Sequence, residues 1–329
     1  RELAYEGVGL HTGNPVRMVL KPAPVNHGIR FLRTDLDPPL EIPATVSLAS
    51  EATDDMRNTT LTLGEAQIHT VEHVLAALSG LNVDNCIIEV DSNEPAEPGL
   101  GGSADYVKAI KEAGIAGQGV PARYFEVKQP ISLVEDDIEL MALPYEGFRV
   151  SFTIKYDHPH LGTQYASFDI NPQTFEEEIA PARTFALMKD VEALRQRGLI
   201  KGGSLENAIV VGEDGILNEA PLHWPNEFVR HKILDLLGDQ LSKVVTLATA
   251  RADEQSRLAA LAAIDTAKSE LLSSVSHEFR TPLTLLLGPL EDAMGGRPDA
   301  LDEPTVTAMH QGAHRLLRMV NDLLDVARL

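Results

Sequence analysis

Two short segments carry the residues best suited to chemistry. The first, His69-Thr70-Val71-Glu72-His73, lies in a stretch, Ile68–Leu81, whose apolar residues Ile68, Val71, Leu75 and Leu78 step by three and four. That spacing predicts a helix with one buried face. Residues 69 and 73 are four apart, so on such a helix both imidazoles project from one side with Glu72 beside them. The second, Phe228-Val229-Arg230-His231-Lys232-Ile233-Leu234-Asp235, sets His231 and Asp235 one helical turn apart. Imidazole and carboxylate are what a catalytic zinc takes as its three protein ligands, leaving a fourth position for water. A neighbouring Glu then accepts the water's proton. On spacing alone, two further readings stay open. The first segment fits the H-x-x-E-H pattern of a zinc peptidase with both of its histidines as ligands. Alternatively, two unrelated surface helices carry histidine by chance.

The elements that must position these residues come from a chain of 329 residues. At about 150 residues per domain, that length predicts two or three domains. An apolar share of 43% with 23% charged residues excludes a mostly disordered chain. The net charge of −21 would repel a phosphate backbone or an anionic membrane, so nucleic acid is not the expected main partner. A local basic spot for a small anionic substrate is compatible with it. The single cysteine, Cys86, cannot form an internal disulfide, which favours a reducing compartment. No apolar run reaches 18 residues and no signal peptide is evident, so no membrane span is expected and the cytoplasm is the expected location. The chain does not begin with Met and opens within an expected strand, Leu3–Val8, as a fragment would.

Three segments follow one another. In the first, about 1–120, Gly7–Gly13 reads as a strand ending in a Gly-rich turn, and Asn85–Val90 as a buried strand. Pro95–Gly102 reads as a loop, with Ser103 capping a helix at Ala104–Ala113. The second, about 121–248, repeats the style, with strands expected near Tyr124–Val127, Glu139–Leu143 and Arg149–Tyr156. Its Gly202-Gly203-Ser204 echoes Gly101-Gly102-Ser103; two similar halves would explain the echo, and so would chance. The third, about 249–329, is helical from Leu258. Leu272, Val275, Phe279, Leu283, Leu286 and Leu290 form one stripe of threes and fours, and Val306, Met309, Ala313, Leu316, Val320, Leu323 and Ala327 form another. Gly295–Asp299 breaks them into a hairpin too thin to bury both stripes alone, so a second copy is expected to complete a four-helix bundle.

Thr70-Val71-Glu72-His73-Val74-Leu75-Ala76-Ala77-Leu78, preceded by Gly7–Gly13 and followed by Ala182-Arg183-Thr184-Phe185, Gly202-Gly203-Ser204 and Phe228–Asp239, resembles the UDP-3-O-acyl-N-acetylglucosamine deacetylases over about residues 1–245. These zinc enzymes act in lipid A synthesis. The resemblance implies two similar α+β sandwich domains, 1–120 and a C-terminally truncated 121–248. It also implies zinc on His73, His231 and Asp235, with Glu72 as general base and His69 outside the ligand set. Thr184 would polarise the amide carbonyl, Lys232 would meet the anionic substrate, and Phe185 and Gly203 would lie along it. In the family, Asp239 orients a second histidine that helps protonate the product amine. This chain departs there, because no histidine occurs between His231 and His277. Turnover impaired by that loss is therefore expected. A second departure is Gly101, where the family usually has Asp before Gly-Ser.

Ser276-His277-Glu278-Phe279-Arg280-Thr281-Pro282-Leu283-Thr284 resembles the phosphoacceptor box of sensor histidine kinases, and the resemblance covers about 255–329. His277 lies two residues from both Val275 and Phe279, about 200° from the apolar stripe, and so faces solvent. An exposed imidazole suits phosphoryl transfer, with Glu278 as its base. The resemblance implies a homodimer through 255–329 and a response regulator as partner. An ATP-binding lobe would have to follow, and the chain ends at Leu329, so autophosphorylation by this polypeptide alone is not expected. The expected whole is an α+β deacetylase followed by an all-α dimerisation hairpin. The rival reading is a dimeric phosphorelay module with the front half as its input domain.

Overall fold

The computed structural model describes residues 1–50, 58–122, 124, 126–135, 138–240, 286–292, 294–295 and 302–326. The chain divides into two units, Arg1–Thr249 and Ala250–Leu329. It is a mixed α+β protein with small sheets, and its described helices include none long and apolar enough to cross a membrane.

The largest sheet of the first unit has five strands in the order β1 (Leu3–Val8), β2 (Pro15–Pro22), β8 (Cys86–Val90), β3 (Ile29–Arg33) and β4 (Leu40–Pro43). Every neighbouring pair is antiparallel except β3 with β8. Alternation makes its inner face. Val16, Met18 and Leu20 of β2 are buried on one face while Pro15 and Arg17 on the other are exposed, the period of two of a one-sided sheet. Only Val19 departs from it, buried although it belongs to the outer row. A three-stranded antiparallel meander, β5 (Ala49–Ser50), β6 (Thr60–Leu63) and β7 (Ala66–Ile68), leads into α1 (Glu72–Gly80), and α2 (Ala104–Ala113) follows β8. Met18, Phe31, Ile42, Ile68, Val74, Leu78, Ile88 and Tyr106 share one core.

Further along, β9 (Ile131–Glu135) and β10 (Ile138–Ala142) form one hairpin, and β11 (Arg149–Lys155) and β12 (Thr163–Asp169) another. A single turn, α3 (Pro172–Thr174), runs on into a π-helical turn at Phe175–Ile179. Then β13 (Thr184–Leu187) pairs in parallel with β14 (Ala208–Gly212), with α4 (Met188–Gln196) between them in sequence, and β15 (Gly215–Ile216) closes the sheet. Next comes α5 (Glu227–Asp235), which continues into a second π-helical turn, Leu236–Gln240. Phe175, Ile179, Ile209, Phe228, Val229 and Ile233 belong to the same core as the first sheet, so both halves of this unit close over one apolar interior.

In the second unit, residues 286–292 are helical (α6) and α7 spans Glu303–Val326. Asp302 starts α7 in the usual manner, its Oδ1 accepting from the Thr305 N–H at 2.9 Å. Where its side chains are described, the expected stripe of α7 is open to solvent in the single chain. Val306 is 49% exposed, and Met309 and Leu316 are only half-buried. The rest of the hairpin pattern, His277 and Glu278 included, lies outside the described residues.

Two expectations need correction. The helix expected over Ile68–Leu81 begins only at Glu72. Thr70 has φ +54°, a left-handed backbone that a β-branched residue adopts only when its surroundings impose it. They do so here, since Thr70 Oγ1 donates to buried Glu94 at 2.7 Å and accepts from Asn58 at 2.9 Å. Ile68 is buried as the end of β7 rather than as a helix position, so its fit to the helical spacing is a coincidence of burial. No strand occurs at the described residues of Tyr124–Val127. Tyr124 is 90% exposed, and strand pairing after α2 resumes only at Ile131 among the described residues.

Candidate metal centre

The site is built on the first turn of α1 and the last turn of α5. Eight of the nine residues of α1 are buried, so its start brings Glu72 and His73 into the interior rather than onto a surface. The turn Leu236–Gln240 packs directly on it. A Cβ at Gly238 would land on the Glu72 backbone carbonyl, so only glycine permits this approach. At the other side, Gly102 has φ +67°, and a Cβ there would strike the carbonyls of Ala180 and Ala182. Its successor Ser103 donates from Oγ to the His73 carbonyl at 2.8 Å and from its N–H to the Ala180 carbonyl at 2.8 Å. Ser103 thus sits where a helix cap was expected, but its hydroxyl serves α1 instead of capping α2.

His73, His231 and Asp235 form a group whose ligand atoms all lie within 4.8 Å of one another. Their tautomers follow from their partners. His73 Nδ1 lies 3.0 Å from Glu97 Oε1, and His231 Nδ1 lies 3.0 Å from the Ala182 carbonyl. A carboxylate and a carbonyl only accept, so each Nδ1 carries a proton and each Nε2 faces inward, the nitrogen left to ligate a cation or, failing one, to take a second proton. Both Nε2 atoms face Asp235 Oδ1, at 3.9 Å from His73 and 3.2 Å from His231. That oxygen is buried and has no hydrogen-bond partner among the described residues. Two nitrogen lone pairs and an orphaned carboxylate oxygen repel one another unless a cation or a proton lies between them. The donor set fits a divalent metal that accepts nitrogen and oxygen, zinc above all.

Charge points the same way. Glu72, Glu97 and Asp235 surround the two imidazoles, and Glu72 and Glu97 are each 7% exposed. Burial works against a charged His73, but Glu97, then Glu72 and Asp235, outweigh it and raise the imidazole to about 10. His231 is pushed down to about 4 by burial, with His73 and Lys232 adding to the effect. Burial would raise Asp235, yet His231, Lys232 and His73 hold it at about 2. Burial lifts Glu72 to about 7, aided by Asp235. Its Oε2 accepts from the Thr59 N–H at 3.1 Å, which fixes the carboxylate beside His73.

Around this group lie most of the other expected residues. Thr184 opens β13 two residues after Ala182, half-buried. The Phe185 ring stacks edge-on against Phe228 at 4.9 Å and reaches to 6.4 Å from the His231 ring. Lys232 Nζ donates to Asp235 Oδ2 at 2.8 Å and lies 5.6 Å from the Phe185 ring centre, so its charge already serves the ligand carboxylate. Gly203 belongs to a loop held against the Gly-rich turn, with the Lys201 and Gly202 N–H groups donating to His11 and Leu10 carbonyls at 3.2 and 3.0 Å. Asp239 lies on the π-helical turn, its side chain outside the described set. His69, by contrast, is not on α1. Its Nδ1 pairs with Thr60 Oγ1 at 2.9 Å, and it takes no part in the group.

Sequence reasoning missed four participants: Glu97, Ser103 in its actual role, the Ala182 carbonyl and buried Glu94. Glu94 accepts from the His11 and Thr12 N–H groups at 2.9 Å each, tying the Gly-rich turn to the loop before α2. No periodicity marks an acid in a Pro-rich loop as buried, so none of these could be read from spacing.

The sequence pattern of the UDP-3-O-acyl N-acetylglycosamine deacetylase family matches residues 1–255, and that of the His Kinase A (phospho-acceptor) domain matches residues 267–329. Among curated proteins, the chain is 47% identical over 236 residues to the UDP-3-O-acyl-N-acetylglucosamine deacetylases of Stenotrophomonas maltophilia strains R551-3 and K279a. That stretch covers 71% of this chain and 76% of each relative. The enzyme of the same description from Pseudomonas entomophila is 45% identical over the same share.

Proposed function

We propose that this chain, which belongs to the UDP-3-O-acyl N-acetylglycosamine deacetylase family and carries a His Kinase A domain after it, is a zinc-dependent amide hydrolase. Its substrate is UDP-3-O-acyl-N-acetylglucosamine, its acetamide the bond cleaved, and lipid A biosynthesis the pathway. The observation that carries the reading is the convergence of two outward-anchored histidines on the unpartnered Oδ1 of Asp235. Zinc held by His73, His231 and Asp235 supplies Lewis-acid polarisation and a water acidic enough to react near neutral pH.

The chain's own residues do the rest. Glu72, held by the Thr59 N–H, takes the proton from the attacking water. Thr184 donates to the amide oxygen as that oxygen gains charge. Phe185 and Gly203 line the substrate, and Lys232 is drawn from Asp235 towards its negative charge. Asp239 keeps its place on the turn after α5 but has no downstream histidine to orient before His277. Slow protonation of the leaving amine follows. In domain terms, 1–120 and 121–248 are two α+β sandwiches, the second truncated, and 249–329 is the hairpin; the protein is assigned to the cytoplasm.

The His Kinase A match supports a second role for the C-terminal unit, in which His277 accepts a phosphoryl group with Glu278 as its base and passes it to a response regulator. The half-open stripe of α7 supports pairing with a second copy into a four-helix bundle through 255–329. Zinc analysis of the purified chain, together with release of acetate from the sugar nucleotide, tests the first role. The outcome against it is a metal-free chain with no deacetylation, which would leave the phosphorelay reading, with residues 1–248 as an input domain, in its place.

A further inference from the structure

We infer that Glu97 is the positioning residue of this centre, the carboxylate that fixes the tautomer and the aim of His73; the inference rests on the metal reading above. In this chain Gly101 stands before the Gly-Ser pair, so no carboxylate is available from that position. Glu97 reaches the imidazole from four residues earlier. Its two oxygens lie 3.0 and 3.2 Å from His73 Nδ1, and its side chain is 4% exposed.

The backbone that carries it is fixed from several sides. The Glu97 N–H donates to the Val8 carbonyl at 2.9 Å. Gly7 lets the loop lie against β1, since a Cβ there would come within 3.2 Å of Ala96 Cβ. The buried Tyr106 hydroxyl donates to the Ala96 carbonyl, and Glu94 anchors the start of the loop through the N–H groups of His11 and Thr12. A side chain on a backbone held this firmly has little freedom, and its partner inherits that order. With the proton kept on Nδ1, the Nε2 lone pair faces Asp235 and His231. With the proton on Nε2, His73 could not ligate at all. A carboxylate behind a ligand histidine also makes the imidazole a better donor, and losing such a partner typically costs about 10–100-fold in metal affinity.

The test is zinc affinity, measured by chelator competition on the full chain, for wild type, Glu97→Gln and Glu97→Asp. Glu97→Gln keeps the shape and removes the charge, and its amide N–H₂ can turn the tautomer over. It should bind zinc about 10–100-fold more weakly, while the metal-free protein melts within a few degrees of metal-free wild type. Glu97→Asp is too short by one methylene and should not restore binding. The visible spectrum of the cobalt-loaded form should shift in Glu97→Gln as the coordination loosens. A nitrogen-detected NMR assignment of His73 in the zinc-loaded wild type should show the proton on Nδ1 alone, a readout that needs no variant to fold. Wild type with bound zinc and unchanged affinity in Glu97→Gln overturns this inference alone, as does a proton on Nε2. A wild type that takes up no zinc overturns the metal reading and this inference with it.

Discussion

Arg183→Met should destabilise the first unit by about 3–5 kcal/mol, the usual cost of stranding one partner of a buried ion pair. Glu227 opens α5 at 0% exposure, and its carboxylate takes four donors. They are Arg183 N–H at 3.1 Å, Arg183 Nε at 2.9 Å, Arg183 Nη2 at 3.2 Å and the His223 N–H at 2.6 Å. The substitution removes the two guanidinium donors and the compensating charge together, leaving a buried anion with two backbone N–H groups. At about 2–4 °C per kcal/mol for a unit of this size, the melting temperature should fall by about 6–20 °C. Trp224, the chain's single tryptophan, lies 4.3 Å from the Arg230 guanidinium beside this pair, so its fluorescence reports the local transition directly. The pH dependence has a definite sign. Burial would raise the Glu227 carboxyl, but Arg183 and the two N–H groups outweigh it and hold it below the ordinary value. A depressed carboxylate contributes its stability above the unfolded value of about 4.3 and loses it as pH falls towards the folded one. The gap between wild type and Arg183→Met should therefore be full at pH 7 and narrow below about pH 4. A double variant, Arg183→Met with Glu227→Leu, should cost less than the sum of the singles by more than about 1 kcal/mol. A melting temperature within 3 °C of wild type, or strictly additive singles, would refute the argument.

Four further outcomes are expected. His73→Ala should lose bound zinc while His69→Ala retains it, as read by metal analysis; an essential His69 with a dispensable Asp235 would restore the peptidase reading. Gly238→Ala should destabilise by about 1–3 kcal/mol in chemical denaturation, because its Cβ meets backbone at Glu72 that cannot swing aside. Deleting residues 251–329 should convert a dimer into a monomer by light scattering, and an unchanged dimer would place the interface elsewhere. Deacetylation should run about 10²–10⁴-fold slower than in a relative with the second histidine, the usual worth of a general acid, and His277→Ala should leave that rate unchanged.

Much of the fold was legible where one face decides burial. Leu3–Val8 and Ala104–Ala113 fall within the expected bounds, the helix without the side-chain cap expected of Ser103, and Asn85–Val90 is off by a single residue. Legibility failed where a side-chain network overrides local preference. Nothing in Ile68-His69-Thr70-Val71 announces a left-handed threonine, because the cause lies in Glu94 and Asn58, 24 and 12 residues away in sequence. The π-helical turns at Phe175–Ile179 and Leu236–Gln240 were equally silent, since nothing in residue type marks where a helix takes the wider i to i+5 bond. The second sets Gly238 against Glu72, a close approach that only the packed structure reveals.

The site divides along the same line. One-turn spacing brings His231 and Asp235 together on any helix, and that much is local. His73 joins them from 158 residues earlier only because both halves of the unit bury their apolar faces in one core. The two glutamates of the loop before α2 show where reading by residue type stops. Glu94 and Glu97 are three apart, both buried, with a proline after each. On composition they are interchangeable. In the structure Glu94 spends its oxygens on the N–H groups of His11 and Thr12 and on the Thr70 hydroxyl, and so holds backbone. Glu97 spends its oxygens on an imidazole and so sets a ligand. What separates them is which donors lie within 3 Å, a property of the folded loop, and exchanging their roles would need a rotation of that loop that its bonds to Val8 and Tyr106 forbid.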